Sequence, residues 1–497
     1  MRNAATRTGL RTAMNVRRRV SETGRQVAEE FEADMRSDST TSCPSGTAAP
    51  YPNDANTCRC AIPKPNAATA RKDSEYRASR SSPEGLRRRV TRFDPQAIPD
   101  EEFPMFDLTA VQAALRDQQL DGWLLYDFRG LNILAARVAG TSPKLSRRWA
   151  YFIPANGVPK KLAHAIEPAS LDKLPGDDKT VYLKWQEFEA GIAHLLNGVK
   201  RVAMEYSPRN GNMYISRVDA GTIELVRGCG VEPVSSGDLI QQFEATWDDE
   251  QESMHFEAAV HTDAAYGVAW QFIAEEIRKN GFTTEMAVQA RIMKHFADNA
   301  MTTYSPPIVG EGPHSGDPHF EPTAEKDRRI APGSFVLIDL WAKMDRPRAV
   351  YSDLTRVGYV GEDVPAKINE VFHIVAAARD AGIARVRRAF AAGEPLQGWE
   401  VDGATRAVIE KAGYGKYFTH RTGHNIGQEV HGNGCHMDGL ETREERLVMR
   451  RTCFSIEPGI YLPEFGVRSE IDVFIDAKGG VHVTGGDLQT EIRRVIV

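Results

Sequence analysis

Cysteine is scarce in this chain: six residues in 497, at positions 43, 58, 60, 229, 435 and 453, too few and too scattered to staple a fold. Reduced thiols and a cytoplasmic setting are the expectation. Cys58 and Cys60 are too close together and too isolated for a four-ligand zinc site, and Cys435 and Cys453 read as packing residues. No apolar run approaches the ~18 residues that a membrane-spanning helix needs. The glycine patterns GxGxxG and GxxxxGK[ST] are missing, so nucleotide binding has no support. GxSxG is also missing, and the segment HRTGH at 420–424 lacks the glutamate of HExxH, which removes the serine-hydrolase and single-zinc readings. Excess positive charge is confined to the start. The first hundred residues hold 18 Lys and Arg against 12 Asp and Glu, whereas the whole chain carries −6, so the remainder is acidic and unsuited to nucleic acid.

What is present is a soluble chain, 41% hydrophobic and 26% charged, long enough for two or three domains. Residues 1–102, rich in Arg, Ala, Ser, Thr, Asn and Pro, have little apolar periodicity beyond a short helical stretch at 20–35 and are expected to be a disordered leader. Residues 103–245 alternate helix and strand patterns and predict an α/β domain. Its strands are expected at 123–128, 149–154, 180–183, 201–204 and 223–226, its helices at 108–120, 186–196 and 236–243. A long helix opening in the TWDDEQE segment and running towards Asn280 marks the junction to an α+β domain, 246–497, in which paired helices and strands alternate twice.

The anomaly lies in Ser334–Val360. Two apolar strand patterns, joined by the polar turn MDRPR, each contain one aspartate, Asp339 and Asp353. Two such carboxylates facing one another across a hairpin repel unless protons or cations compensate, and a metal is the economical answer. Three further ionisable groups sit in apolar or glycine-rich surroundings: His424 in RTGHNIG, Glu457 in FSIEPGIY and Glu470 in VRSEIDVFI. Two Asp, one His and two Glu form an oxygen-rich set suited to two divalent cations.

In that order, IDLWAK, YSDLTR, TGHNIG, SIEPGIY and VRSEIDV resemble the metal-binding signature of the pita-bread metallopeptidases, in their aminopeptidase P and prolidase branch. The resemblance spans about residues 104–497. It implies a creatinase-like N-terminal domain followed by a pita-bread catalytic domain, and a dinuclear-metal peptidase that hydrolyses Xaa-Pro bonds with metal-activated water. Asp339, Asp353, His424, Glu457 and Glu470 would be the ligands, with Asp353 and Glu470 bridging and Glu457 also handling the proton. His319, His420 and His431 match catalytic histidine positions; His319, His431 and Arg468 would contact substrate. Manganese is the metal that the resemblance favours, with cobalt, zinc or iron compatible with the same donors. The implied substrate is a peptide with proline second; homodimers are common in this branch, and neither nucleic acid nor membrane is an expected partner. The aspartates are fourteen positions apart, longer than the family's usual interval, and the extra residues are expected in the MDRPR turn. The other reading of such a fold is a metal-free creatinase-like hydrolase or a non-catalytic scaffold. Relatives of that kind lose several acidic ligands, and this chain keeps all five.

Overall fold

The computed structural model describes residues 106–142 and 144–497; the expected leader lies outside the described residues. The chain first builds α1 (Leu108–Asp117), β1 (Gly122–Asp127), α2 (Ile133–Ala139), β2 (Trp149–Pro154), β3 (Lys160–His164), β4 (Asp178–Tyr182), α3 (Trp185–Leu195), β5 (Arg201–Met204), α4 (Ala220–Gly228), β6 (Glu232–Ser235) and α5 (Gly237–Glu244). The six strands form one mixed sheet in the order β4-β3-β2-β1-β5-β6. Its two faces are packed separately. Trp123, Leu125, Tyr151 and Ile153 meet α1 and α2 on one side, and the alternate residues Leu124, Tyr126, Ala150 and Phe152 meet Phe188 and Ile192 of α3 on the other.

One expected strand is a helix. Ile223 and Val226 lie in α4, where a spacing of three puts both on its buried face, and Asp219 caps the helix by accepting from the Thr222 amide at 2.9 Å. The segment IELV, three apolar residues around Glu224, suits either structure, and the cap with its three-residue spacing decides for helix. The strand beside it, β6, begins six residues later, and α2 and β3 had no strong periodic signal.

The second part continues with α6 (Asp249–Asn280), β7 (Thr283–Thr284), α7 (Glu285–Asp298), β8 (Met301–Thr302), β9 (Ile308–Glu311), β10 (Arg329–Ile330), β11 (Phe335–Met344) and β12 (Ser352–Val360). Then come α8 (Ala366–Ala392), α9 (Gly398–Lys411), β13 (Asn425–Ile426), β14 (Cys453–Ile456), β15 (Gly459–Tyr461), β16 (Gly466–Arg468), β17 (Ile471–Ile475), β18 (Val481–Thr484) and β19 (Arg493–Val495). The TWDDEQE segment starts α6 as expected. Asp248 accepts from the Gln251 amide while the Gln251 side chain returns to the Asp248 amide, a reciprocal cap at the helix start.

The two-residue period of β11 explains why it looked apolar on both faces. Val336, Ile338, Leu340 and Ala342 pack against Tyr266, Ala269 and Ile273 of α6. Phe335 and Leu337 point the other way, into a cluster with Val371, Phe372 and Val375 of α8. Full burial of each such side chain contributes about 1.5–3 kcal/mol. Asp339 belongs to the second, inner set of residues. The β13-β14-β17-β18 sheet and the β15-β16 pair flank His424, Glu457 and Glu470, which lie just beyond the ends of their strands.

Candidate metal centre

The hairpin pairs without interruption from Phe335↔Tyr359 to Ala342↔Ser352. Asp339 is opposite Thr355, and Asp353 is opposite Trp341, so the two aspartates are diagonal neighbours on one face and not a directly facing pair. Beyond Ala342 the first strand pairs with β8 instead, and the polar turn lies outside the paired register. The long interval between the aspartates is therefore absorbed at the hairpin tip.

Asp353, His424 and Glu470 each present a ligand atom within 4.8 Å of the other two, and all three are buried. His424 Nε2 lies 3.4 Å from Asp353 Oδ2 and 3.4 Å from Glu457 Oε1, which brings the second glutamate to the same point. Glu457 and Glu470 occupy two-residue breaks, the first between β14 and β15, the second between β16 and β17, where the backbone turns a side chain inward. Asp339 is held at the edge by the Arg468 guanidinium. One oxygen of each aspartate, Asp339 Oδ1 and Asp353 Oδ1, is buried with no hydrogen-bond partner. An unmet buried carboxylate oxygen is costly, and a divalent cation is the partner that two of them, beside a histidine and two glutamates, would accept. The residues present fit a carboxylate-rich metal centre.

Crowding shows in the protonation equilibria. Burial pushes Asp339 up to about 6, with Arg468 opposing and Asp353 adding repulsion. Burial likewise raises Asp353 to about 7 and Glu457 to about 8, in both cases against the pull of Arg468. Glu470 is raised well above the usual range by burial and then by Asp353 and Glu457. His424 moves the other way, to about 3, because burial and then the Arg421 charge disfavour the imidazolium. A neutral imidazole is the form that ligates.

The other expected residues surround this cluster. The His431 ring stands edge-on to His424 with centroids 4.3 Å apart. His420 is fixed through Nδ1 to the Arg421 carbonyl and through Nε2 to the Tyr461 hydroxyl, both at 2.7 Å. His319 is exposed and lines a cavity of about 220 Å³ together with Tyr304, Pro306, Pro307, Glu321 and Trp341. Arg468 is engaged by Asp339, by Thr355 Oγ1 at 2.9 Å and by the Tyr461 hydroxyl at 3.2 Å, so its geometry is that of a carboxylate-orienting group. His314 pairs with buried Glu285 at 2.8 Å, and His373 is exposed. His436 is fully buried with Nε2 unpartnered.

Sequence reasoning missed a supporting layer. Thr355 Oγ1 donates to Glu470 Oε2 at 2.7 Å, Ser455 Oγ donates to Glu457 Oε1 at 3.1 Å, and Asp472 Oδ2 accepts from the Asp353 amide at 3.0 Å. Each lies one or two positions from a residue of the cluster or pairs across from one, a signal available only with strand register in hand.

Comparison with known proteins agrees with this geometry. Residues 254–477 match the model of metallopeptidase family M24. The chain is 29% identical over 311 residues to the Bacillus subtilis protein YkvY, covering 60% of this chain and 79% of that one. It is 30% identical over 214 residues to the Xaa-Pro dipeptidase of Lactobacillus delbrueckii, covering 43% of this chain and 52% of that one. The crystal structure of dipeptidase PepE from Mycobacterium ulcerans superposes with a TM-score of 0.57 at 25% identity, covering 78% of this chain and 97% of that one. With its buried carboxylate and histidine cluster inside the segment that matches metallopeptidase family M24, the chain is a metallopeptidase of the pita-bread fold.

Proposed function

We propose that this peptidase uses two divalent metal ions, manganese first among them, to hydrolyse peptides with proline in the second position. The observation that carries the reading is the convergence of Asp353, His424 and Glu470, with the unpartnered oxygens of Asp339 and Asp353 beside them. Asp339, Asp353, His424, Glu457 and Glu470 would hold the metals, and residues 103–245 and 246–497 would form the N-terminal and catalytic domains. When bound, the two cations supply Lewis acidity and activate water at neutral pH.

The chain's own groups do the rest. Glu457, whose Oε1 lies 3.4 Å from His424 Nε2, would handle the proton that passes to the leaving nitrogen. His431 and His319 border the cluster and the cavity, where they would contact the substrate and donate to the carbonyl oxygen as it gains charge. His420, tied to Tyr461, would supply a second oriented imidazole. The ring-lined cavity between Tyr304, Trp341 and Pro307 supports an apolar residue of a peptide as its occupant. The name of the Lactobacillus delbrueckii relative supports proline specificity. The sparse cysteines support a cytoplasmic enzyme, and among the described residues no helix is long and apolar enough to cross a membrane.

Metal analysis after manganese loading, together with turnover of Xaa-Pro and Xaa-Pro-Xaa peptides, tests the reading. Two equivalents of metal and hydrolysis of either peptide are expected. Fewer than one equivalent would favour the metal-free reading of the fold, and metal binding without hydrolysis of either peptide would sink proline specificity.

A further inference from the structure

Glu285 is the first residue of α7, and its side chain is completely buried. No step of the proposed hydrolysis uses it. Its carboxylate accepts from the Glu311 amide at 2.7 Å through Oε1 and from the Arg328 amide at 3.0 Å through Oε2, so one group grips both ends of the segment 312–327. A 2.8 Å ion pair between Arg328 and Glu311 ties the same two ends to each other. A third contact comes from within the segment. His314 Nδ1 lies 2.8 Å from Glu285 Oε1, and because an ionised carboxylate only accepts, the ring nitrogen facing it carries the proton.

This third contact reaches further than the loop ends. The His314 ring lies flat on Phe320, with centroids 4.0 Å apart and planes 26° from parallel. Phe320 packs in a buried cluster with Ile308, Trp341 and Tyr351, and the residue before it is His319. On the other side of His319, the Pro318 carbonyl accepts from Arg468 Nη1 at 3.4 Å, and Arg468 also holds Asp339. His319 is thus mounted between two anchors, one leading to α7 through His314 and Glu285, the other to the metal cluster through Arg468. Its own ring is exposed and lines the cavity shared with Tyr304 and Trp341. A side chain carried on a loop is only as well placed as the groups that lock the backbone beneath it.

Resting on the reading of His319 as a substrate contact, we infer that Glu285 and His314 are positioning residues, which hold the segment 312–327 so that His319 stands at the cavity wall to meet the peptide. Two features of His314 do this. Its Nδ1–H completes the buried carboxylate, which would otherwise be short of a donor, and its ring passes that fixed position to Phe320. Misplacing a substrate-contacting group by about 1 Å can cost on the order of 100-fold in rate.

The test is a double-mutant cycle on the metal-loaded enzyme with Ala-Pro as substrate. His314→Asn keeps a donor for Glu285 and removes the ring, whereas His314→Phe keeps a ring for Phe320 and removes the donor. Each is expected to lower kcat/KM roughly tenfold or more with metal content unchanged. In an enzyme already carrying His319→Ala, the same substitutions are expected to cost no more than about twofold, since the group they position is gone. A full loss in that background, or no loss in the native one, would overturn the inference, because a merely structural histidine costs the same with or without His319. Crystal structures of the two variants give a readout that does not depend on turnover. His319 is expected to leave the cavity wall in both, and a His319 that stays in place refutes the assignment. If the native enzyme does not hydrolyse Ala-Pro, or His319→Ala leaves hydrolysis unchanged, the substrate reading fails on its own, and these structures decide the positioning role separately.

Discussion

Thr355 Oγ1 donates to Glu470 Oε2 over 2.7 Å and accepts from Arg468 Nε over 2.9 Å, directly across the hairpin from Asp339. One hydroxyl thus orients a glutamate of the cluster and the arginine that holds the aspartate. Supporting hydrogen bonds of this kind typically cost 10–100-fold in metal affinity or activity when lost. Thr355→Val keeps the shape and β-branching and removes the hydroxyl. It should lower manganese affinity about tenfold or more with little change in fold, read by metal titration alongside far-UV circular dichroism.

Asp353 presents a carboxylate oxygen within 4.8 Å of the ligand atoms of His424 and Glu470, and its Oδ1 is unpartnered. Asp353→Asn preserves its volume and removes its charge. Metal content after manganese loading and peptide turnover should be lost together, while the variant remains folded. Full metal occupancy in Asp353→Asn would place the centre elsewhere.

The hairpin tip makes a contrasting case. Register between the strands ends at Ala342↔Ser352, and Arg346 and Arg348 beyond it make ion pairs with Glu257 and Asp248 on the surface. Exposed pairs of this kind contribute about 0–1 kcal/mol, and small changes of loop length are tolerated well. Deleting residues 346–348 should leave metal stoichiometry unchanged and turnover within about twofold. Loss of metal on this deletion would mean that the tip helps to set the position of the aspartates.

Acid stability should report on His255. This ring is fully buried, with Nδ1 2.8 Å from the Tyr351 carbonyl and Nε2 2.7 Å from the Thr484 hydroxyl, and burial lowers its pKa from 6.5 to about 4. The unfolded chain binds this proton near pH 6.5, whereas the folded protein resists it until about pH 4. The contribution is therefore fully present above pH 6.5 and is lost as pH falls towards 4, a difference of about 3 kcal/mol at most. Urea unfolding at pH 7.5 and 4.5 should show a steeper loss for the wild type than for His255→Gln. Equal slopes would show that His255 titrates normally.

The aspartates were legible early because a carboxylate interrupts an apolar alternation, and Asp339 and Asp353 do so in adjacent strands. His424, Glu457 and Glu470 were legible through the glycines, proline and apolar strands beside them. Thr355, Ser455 and Asp472 were not, since a hydroxyl or a second acid near a strand has many ordinary uses until its cross-strand partner is known. The strand expected at 223–226 failed for a related reason: a four-residue segment is too short to show a period of its own, and the cap at Asp219 starts a helix there.

The sequence by itself determined that five ionisable residues lie in apolar or glycine-rich settings, and it carries the alternation that buries one face of each strand. Tertiary structure alone decided how those residues meet. Register made the aspartates diagonal and not opposed, strand breaks turned Glu457 and Glu470 inward, and Tyr214 came from more than two hundred residues away to hold Arg421. Local pattern follows from the geometry of one strand or helix, whereas the convergence of distant side chains depends on how whole elements pack, and no short stretch of sequence contains that information.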